Sequence, residues 1–368
     1  MFSLTGQTMR KRTTLLMCLL LVAALGGILS FSQEPDDASP QAVFRIDVNM
    51  VLLNVAVMDN KGNYVTGLKP WDFEIFEDGN SQRMATFAEG SETPRPLNEF
   101  SRDAGQPRIV KPMRAMPSDR LQGNSRDNSA ELVASLASGA SVYILFDTSN
   151  YMYEGFVFAQ DAIAEFIRSL DNPDRVALYS YSRDLSRIVP ITDDRLQLLR
   201  GLRKTVAGDN AALYNALLLT IQDASRLPGR KMVVAFSNGP DNSSMVAPEN
   251  VRELAQAEGI PIYVISTREA KNDPVSTAVF ERISASTGGK AYFAKTWRQQ
   301  QEAFTNIRED LAHLYTLSYY PQSTQNRGWR EITVKLIGDH LEKYQVRTRT
   351  GYRPRTARAA NSTAPITP

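Results

Sequence analysis

The sequence predicts an α/β protein: a doubly wound, mostly parallel sheet inserted in, or flanked by, a small β-sandwich. Three observations carry this. From Ser141 to His313, short apolar runs alternate with amphipathic segments across short loops, the pattern of strands joined by crossover helices. On both sides of that stretch apolar and polar residues largely alternate at period two, the pattern of antiparallel strands. A chain of 368 residues with 42% hydrophobic and 22% charged residues also has apolar mass enough for two cores.

Each element follows from local pattern. Val43 to Met58 (VFRIDVNMVLLNVAVM) reads as strand, Asp59 to Asn63 as a hairpin turn, and Asp72 to Glu77 as strand again; Asp78-Gly79-Asn80 is the turn before Gln82 to Phe87. Ser91 to Gly139 is rich in Pro, Arg, Ser, Asn and Gly, and no element is predicted there. Strands are expected at Ser141–Phe146, Arg175–Ser182, Lys231–Ser237, Pro261–Ser266 and Lys290–Phe293, with Ser186–Ile191 as a short antiparallel neighbour. Helices are expected at Gly155–Leu170, Asp194–Lys204, Ala211–Arg226, Pro248–Glu258, Ala278–Ser286 and Trp297–His313; Pro248 suits a first turn and Gly259 a helix end. Tyr315–Tyr320, Arg330–Ile337 and Tyr344–Thr350 are strands without crossover helices, so they are expected to join Val43–Phe87 in one sandwich. The expected organisation is a leader at 1–32, strands at 43–90, a linker at 91–139, the α/β domain at 140–314, strands at 315–355 and a tail at 356–368.

Composition narrows the function. A formal net charge of +2 offers no basic field for a nucleic-acid backbone. One cysteine and two histidines (His313, His340) exclude disulfide frameworks, Cys/His zinc sites and Cys-His pairs. Arg10-Lys11-Arg12, the apolar run Leu15–Leu29 and the small residues Ser30 and Ser32 read as a secretory leader cut before Gln33. The run of about 15 apolar residues falls short of the roughly 17 that span a bilayer, and an uncleaved anchor is the alternative, which would be the chain's one membrane contact. Cleavage removes three basic residues and Cys18, leaving a nearly neutral, cysteine-free secreted or periplasmic protein.

In a parallel sheet covered on both faces, ligands bind at the carboxyl ends of the strands. Phe146-Asp147-Thr148-Ser149-Asn150-Tyr151 there resembles the Asp-x-Ser-x-Ser loop of von Willebrand factor type A domains. Asn210 to Leu217 and Phe236 to Ser244 match the places where that family carries its threonine loop and its Ser-Asp-Gly. The flanks Val65-Thr66-Gly67-Leu68, Asp72-Phe73, Glu77-Asp78-Gly79, Leu317-Ser318-Tyr319-Tyr320-Pro321 and Arg349-Thr350-Gly351-Tyr352 resemble a secreted bacterial subfamily abundant in acidobacteria. The resemblance implies an adhesion site holding Mg²⁺ or Mn²⁺ through about six oxygen ligands. Asp147 and Ser149 match it, but Tyr151 stands for the second serine, Ala211 for the threonine and Asn238 for the second aspartate. A degenerate site follows, with Asp147, Ser149, Asp209 and Asn238 as its residues and no cofactor expected. Asp209 could supply a substitute carboxylate, and Asp241 reads as a turn former.

Other residues read more plainly. His313 ends a helix and His340 sits in a turn. Tyr143, Tyr179, Tyr181, Tyr263, Tyr315, Tyr319 and Tyr320 fall in strand patterns as core or sheet-face residues. Tyr151 and Tyr153, with Asn210 and Pro240, lie at the binding rim and are the expected partner contacts. The expected function is therefore an exported, non-catalytic adhesion module for a protein or extracellular polymer. An envelope structural or assembly protein is the alternative; a hydrolase would need a nucleophile and base arrangement that the motifs do not offer.

Overall fold

The computed structural model describes residues 50–100, 139–170, 174–266, 273–322, 326 and 328–354. The leader at 1–32, most of the linker and the tail at 356–368 lie outside the described residues, among which no helix is long and apolar enough to cross a membrane.

The central sheet is built from β6 (Ser141–Asp147), β7 (Arg175–Tyr181), β8 (Leu185–Thr192), β9 (Lys231–Phe236), β10 (Ile262–Ser266) and β11 (Ala291–Phe293), in the order β11-β10-β9-β6-β7-β8. All pairings are parallel except β7 with β8. Six helices accompany it: α1 (Phe156–Ser169), α2 (Arg195–Arg203), α3 (Leu213–Ser225), α4 (Pro248–Glu258), α5 (Pro274–Thr287) and α6 (Trp297–His313). Both faces are covered, which is why β6 reads as a continuous apolar run. Ile144, Phe146 and Val234 pack with Phe166 of α1 and Phe304 and Ile307 of α6; Tyr143, Leu145 and Val233 pack with Leu217, Val251 and Ile283 of α3, α4 and α5. The Phe166 and Phe304 rings stack 5.2 Å apart.

The flanking strands form two antiparallel sheets. β1 (Val51–Met58), β4 (Met84–Glu89), β5 (Arg95–Pro96), β12 (Tyr315–Tyr319) and β14 (Gln345–Arg347) make one, ordered β14-β1-β12-β4-β5. β2 (Phe73–Glu77), β3 (Asn80–Gln82), β13 (Arg330–Leu336) and β15 (Gly351–Tyr352) make the other, ordered β15-β13-β2-β3. Leu317 of β12 faces Leu53 on one side and Phe87 on the other, and Val334 of β13 faces Ile75. Strands from both ends of the chain thus complete each sheet, and their inner residues share one core.

Four expectations need adjustment. The stretch predicted to lack elements contains β5 and a 3-10 turn at Leu97–Glu99, because Phe87 offers Phe100 an aromatic edge at 5.5 Å and the backbone pairs with β4. The helix expected from Ala211 begins at Leu213, since Ala211 and Ala212 give their backbone groups to neighbouring loops. The helix expected at Ala278–Ser286 starts earlier, at Pro274, with Asp273 accepting the Ser276 N–H as its cap. The last strand, expected over Tyr344–Thr350, is confined to β14 at Gln345–Arg347, and β15 follows it at Gly351–Tyr352 in the other sheet.

Buried arginines join the sandwich to the α/β unit. Arg230, before β9, donates to the Gly90 and Leu311 carbonyls at 2.6 and 2.9 Å. Arg347 donates to Gly288 O at 2.7 Å and to Asp310, while Arg349 donates to Gln256 O and to Leu52 O. Burial pulls the Arg349 guanidinium down to about 10, so it stays charged at neutral pH.

Candidate functional site

The carboxyl ends of β6, β7, β9 and β10 meet around Asp147, the last residue of β6, which is completely buried. Its Oδ1 accepts the Ser149 N–H at 2.9 Å and its Oδ2 accepts the Ser237 hydroxyl at 2.9 Å. Ser237 Oγ in turn accepts the Tyr181 hydroxyl at 2.9 Å and the Gly239 N–H at 3.1 Å. Burial raises the Asp147 carboxyl above the usual carboxylate range, and hydrogen bonds from Ser149, Ser237 and Tyr181 oppose that shift without cancelling it. Burial, and then the neighbouring Asp147, push the Tyr181 phenol far above its ordinary value.

The loop after β6 is held from two sides. Thr148 donates its N–H and its hydroxyl to the Tyr181 carbonyl at 2.8 and 2.9 Å. Gly208 N–H donates to Thr148 O at 2.7 Å and Asn150 N–H to Asp209 O at 3.0 Å, tying in the loop before α3. That approach needs glycine, because a Cβ at 208 would sit 2.5 Å from Ser182 Oγ.

The loop after β9 caps α3. Asp241 accepts the Tyr214 N–H through Oδ2 at 2.9 Å, and the Ser243 and Ser244 N–H groups through Oδ1. Ser244 Oγ accepts the Asn215 N–H at 2.9 Å. Asp241 therefore forms its turn and also satisfies a helix-terminal donor, a role the sequence reading did not include.

The rim residues fall around this centre. Tyr153, half exposed, donates its hydroxyl to Asp209 Oδ1 at 3.1 Å, so the Asp209 carboxylate lies outside the Asp147 cluster. Tyr151 OH accepts from Asn242 Nδ2 at 3.3 Å. Asn210 is exposed and Pro240 half-buried, while Asn238 is buried, with its Oδ1 accepting the Ser266 hydroxyl at 3.4 Å. Tyr153, Val157, Phe158, Val206 and Met245 expose apolar surface on the loops and first helical turn of this end. His313 binds Glu309 at 2.9 Å and His340 is exposed in its turn, so neither reaches the site.

A divalent cation does not fit these residues. Both Asp147 oxygens are engaged by protein donors, Ala211 brings no side-chain oxygen, and Tyr151 turns to Asn242. Ser149 Oγ is buried beside Asp147, but one hydroxyl beside one carboxylate is far from an oxygen shell for Mg²⁺. Among the described residues no group of three or more His, Cys, Asp or Glu side chains is placed to hold a metal ion. Sequence reasoning missed Tyr181 and Ser237, whose hydroxyls supply the carboxylate's partners; Tyr181 reads as core because its ring is core, and only its place at a strand end marks the hydroxyl.

The mostly parallel sheet of this order, with an aspartate and a serine loop at the end of its β6 strand, defines a Rossmann-like α/β domain. Residues 141–306 match the family model of the von Willebrand factor type A domain. It is 26% identical over 141 residues to an uncharacterized protein of Borreliella burgdorferi, covering 35% of this chain and 41% of that one. It is 22% identical over 181 residues to a UPF0353 protein of Mycolicibacterium gilvum, covering 42% of this chain and 53% of that one. The match thus spans about half the length, or less, of these curated relatives. Among solved structures it is similar to the conserved hypothetical protein BatB from Bacteroides thetaiotaomicron, at 17% identity and a TM-score of 0.38, over 47% of this chain and 98% of that one.

Proposed function

We propose that this chain is an exported, non-catalytic binding protein that docks a protein or an extracellular polymer on the carboxyl-end face of its α/β unit without a metal ion. Von Willebrand factor type A domains are generally protein-interaction modules, and the match over residues 141–306 supports that class here. The observation that carries the reading further is the exposed apolar rim around a centre closed by its own hydrogen bonds: Tyr153, Val157, Phe158, Val206 and Met245 offer large side chains where a polar, ion-bearing site would offer oxygens. Tyr151, Tyr153, Asn210 and Pro240 are the contacts in this reading. Export rests on Arg10–Arg12, the apolar run and Ser30-x-Ser32, with cleavage before Gln33, and the resemblance of the flanking motifs to the secreted subfamily named above supports it.

The test is capture of partners from envelope extracts with the purified full chain, in the presence and absence of chelator. Retention of the same partner in both, lost in Tyr153→Ala/Phe158→Ala, supports the reading. Chelator-sensitive capture overturns its metal-free part, and capture indifferent to the rim variant overturns the docking face, leaving the envelope structural role. Intact mass of the protein from its host is expected to begin at or near Gln33.

A further inference from the structure

Asn238-Gly239 is the one Asn-Gly dipeptide in the sequence, and it lies at the end of β9 beside Asp147. Glycine leaves the amide nitrogen after an asparagine unshielded, since it has no Cβ. Here that nitrogen is also held: Gly239 N–H points to Ser237 Oγ at 3.1 Å, and the Ser237 hydroxyl points to Asp147 Oδ2 at 2.9 Å. The amide proton thus has an aligned route through a hydroxyl to a carboxylate. On the electrophile's side, the Ser266 hydroxyl donates to Asn238 Oδ1 at 3.4 Å, where negative charge would gather on attack.

We propose that Asn238 is a self-modification site, at which the Ser237–Asp147 relay and Ser266 promote conversion of the asparagine to an aspartyl residue. Gly239 N bonds to Asn238 Cγ and the Cγ–Nδ2 bond breaks. Ammonia leaves with the proton that the Gly239 nitrogen gives up, and a five-membered succinimide remains. Water then opens the ring at either carbonyl, giving aspartate or isoaspartate at 238; nothing is oxidised or reduced, and water is the only co-reactant. The product carries a second carboxylate within the strand-end cluster, where the encoded chain has a neutral amide. Ser237 and Ser266 act here as positioning residues on a reaction of the chain with itself. This step does not depend on the partner-docking reading.

The experiment incubates the folded full-length protein in heavy-oxygen water at neutral pH and follows the tryptic peptide Met232–Arg252 by mass spectrometry, with fragmentation to locate the label. The same chain held unfolded in urea is the reference. The expected result is heavy oxygen at position 238, entering faster in the folded protein than in the unfolded one, with Asn242 and Asn250 unlabelled. Ser237→Ala and Ser266→Ala, each checked for an unchanged fold by circular dichroism, are expected to slow the folded rate by about a hundredfold or more, the scale of positioned acid–base assistance. Should either serine variant fail to fold, the comparison of folded with unfolded wild type decides alone. A folded rate equal to or below the unfolded rate overturns the proposal, as do folded serine variants that react at the wild-type rate.

Discussion

Ser237 donates its hydroxyl to Asp147 at 2.9 Å across ninety residues of chain, closing the end of β9 onto the end of β6. The carboxylate that the loop motif would present to an ion is thereby turned into an internal acceptor. Its burial sets the first prediction.

Asp147 has its carboxyl raised above the ordinary value of 3.8, chiefly by burial. The stability contributed by its protonated form is complete below that ordinary value and is lost as pH rises through the raised one. Asp147→Asn is therefore expected to gain on the wild type as pH rises above that ordinary value, by up to about 1.4 kcal/mol per pH unit, and to level off above the raised value. Urea melts across a pH series measure this; a difference that does not change with pH contradicts it.

Cations provide the second. Freshly prepared wild type is expected to show no Mg²⁺- or Mn²⁺-specific change in Tm. The triple variant Tyr151→Ser/Ala211→Thr/Asn238→Asp regains three oxygen donors and one negative charge, and is expected to be stabilised by about 2.7 kcal/mol at a hundredfold excess over Kd. Saturable stabilisation of the wild type, abolished in Asp147→Ala, would reveal a cation shell completed by other donors.

Gly208 provides the third. An alanine there would place its Cβ 2.5 Å from Ser182 Oγ and 2.6 Å from Ser182 Cβ. Gly208→Ala is expected to cost about 1–3 kcal/mol, as overpacking does. Adding Ser182→Gly removes both clashing atoms and should return most of that loss in thermal melts; additive losses would place the strain elsewhere.

The buried arginines provide the fourth. Arg349→Met removes the guanidinium donor from the Leu52 carbonyl and from the Gln256 carbonyl, which keeps the Gly259 N–H at 3.3 Å, and is expected to cost about 1–3 kcal/mol, the scale of one orphaned group. A fragment of residues 138–314 is expected to fold alone but to melt below the full chain, since it lacks the Gly90 carbonyl that Arg230 binds. Residues 43–87 alone are expected not to fold, because β1 and β4 flank β12 and would face each other across its absence. Cooperative melting of that fragment as a monomer would contradict this.

The α/β core was legible because period and length carry it: β6 is apolar throughout, and α4 opens with Pro248 and closes at Gly259 in the left-handed conformation. The sandwich was legible from its missing crossovers. β5 was hidden because two residues make no period, and its support, the Phe87–Phe100 contact, joins residues that no local pattern links. The site was half legible. Asp147 and Ser149 stand in a motif, whereas Tyr181 and Ser237 act through single hydroxyls on residues whose neighbours look like strand. Tyr151 and Asp209 were placed at the right end of the sheet, but their partners, Asn242 and Tyr153, depend on how three loops fold together.

Gly90 N–H donates to Leu314 O at 2.9 Å, and Arg230 fastens the Gly90 carbonyl from the other side. The end of β4 and the start of β12 are thus clasped together beside the α/β unit. A pull applied between β1 and β15 meets the antiparallel ladders around β12 and β13, and the covalent chain from β6 to β11 lies outside those ladders. Asp147 and Tyr153 lie off that covalent path, at the far side of the clasp from the sandwich strands.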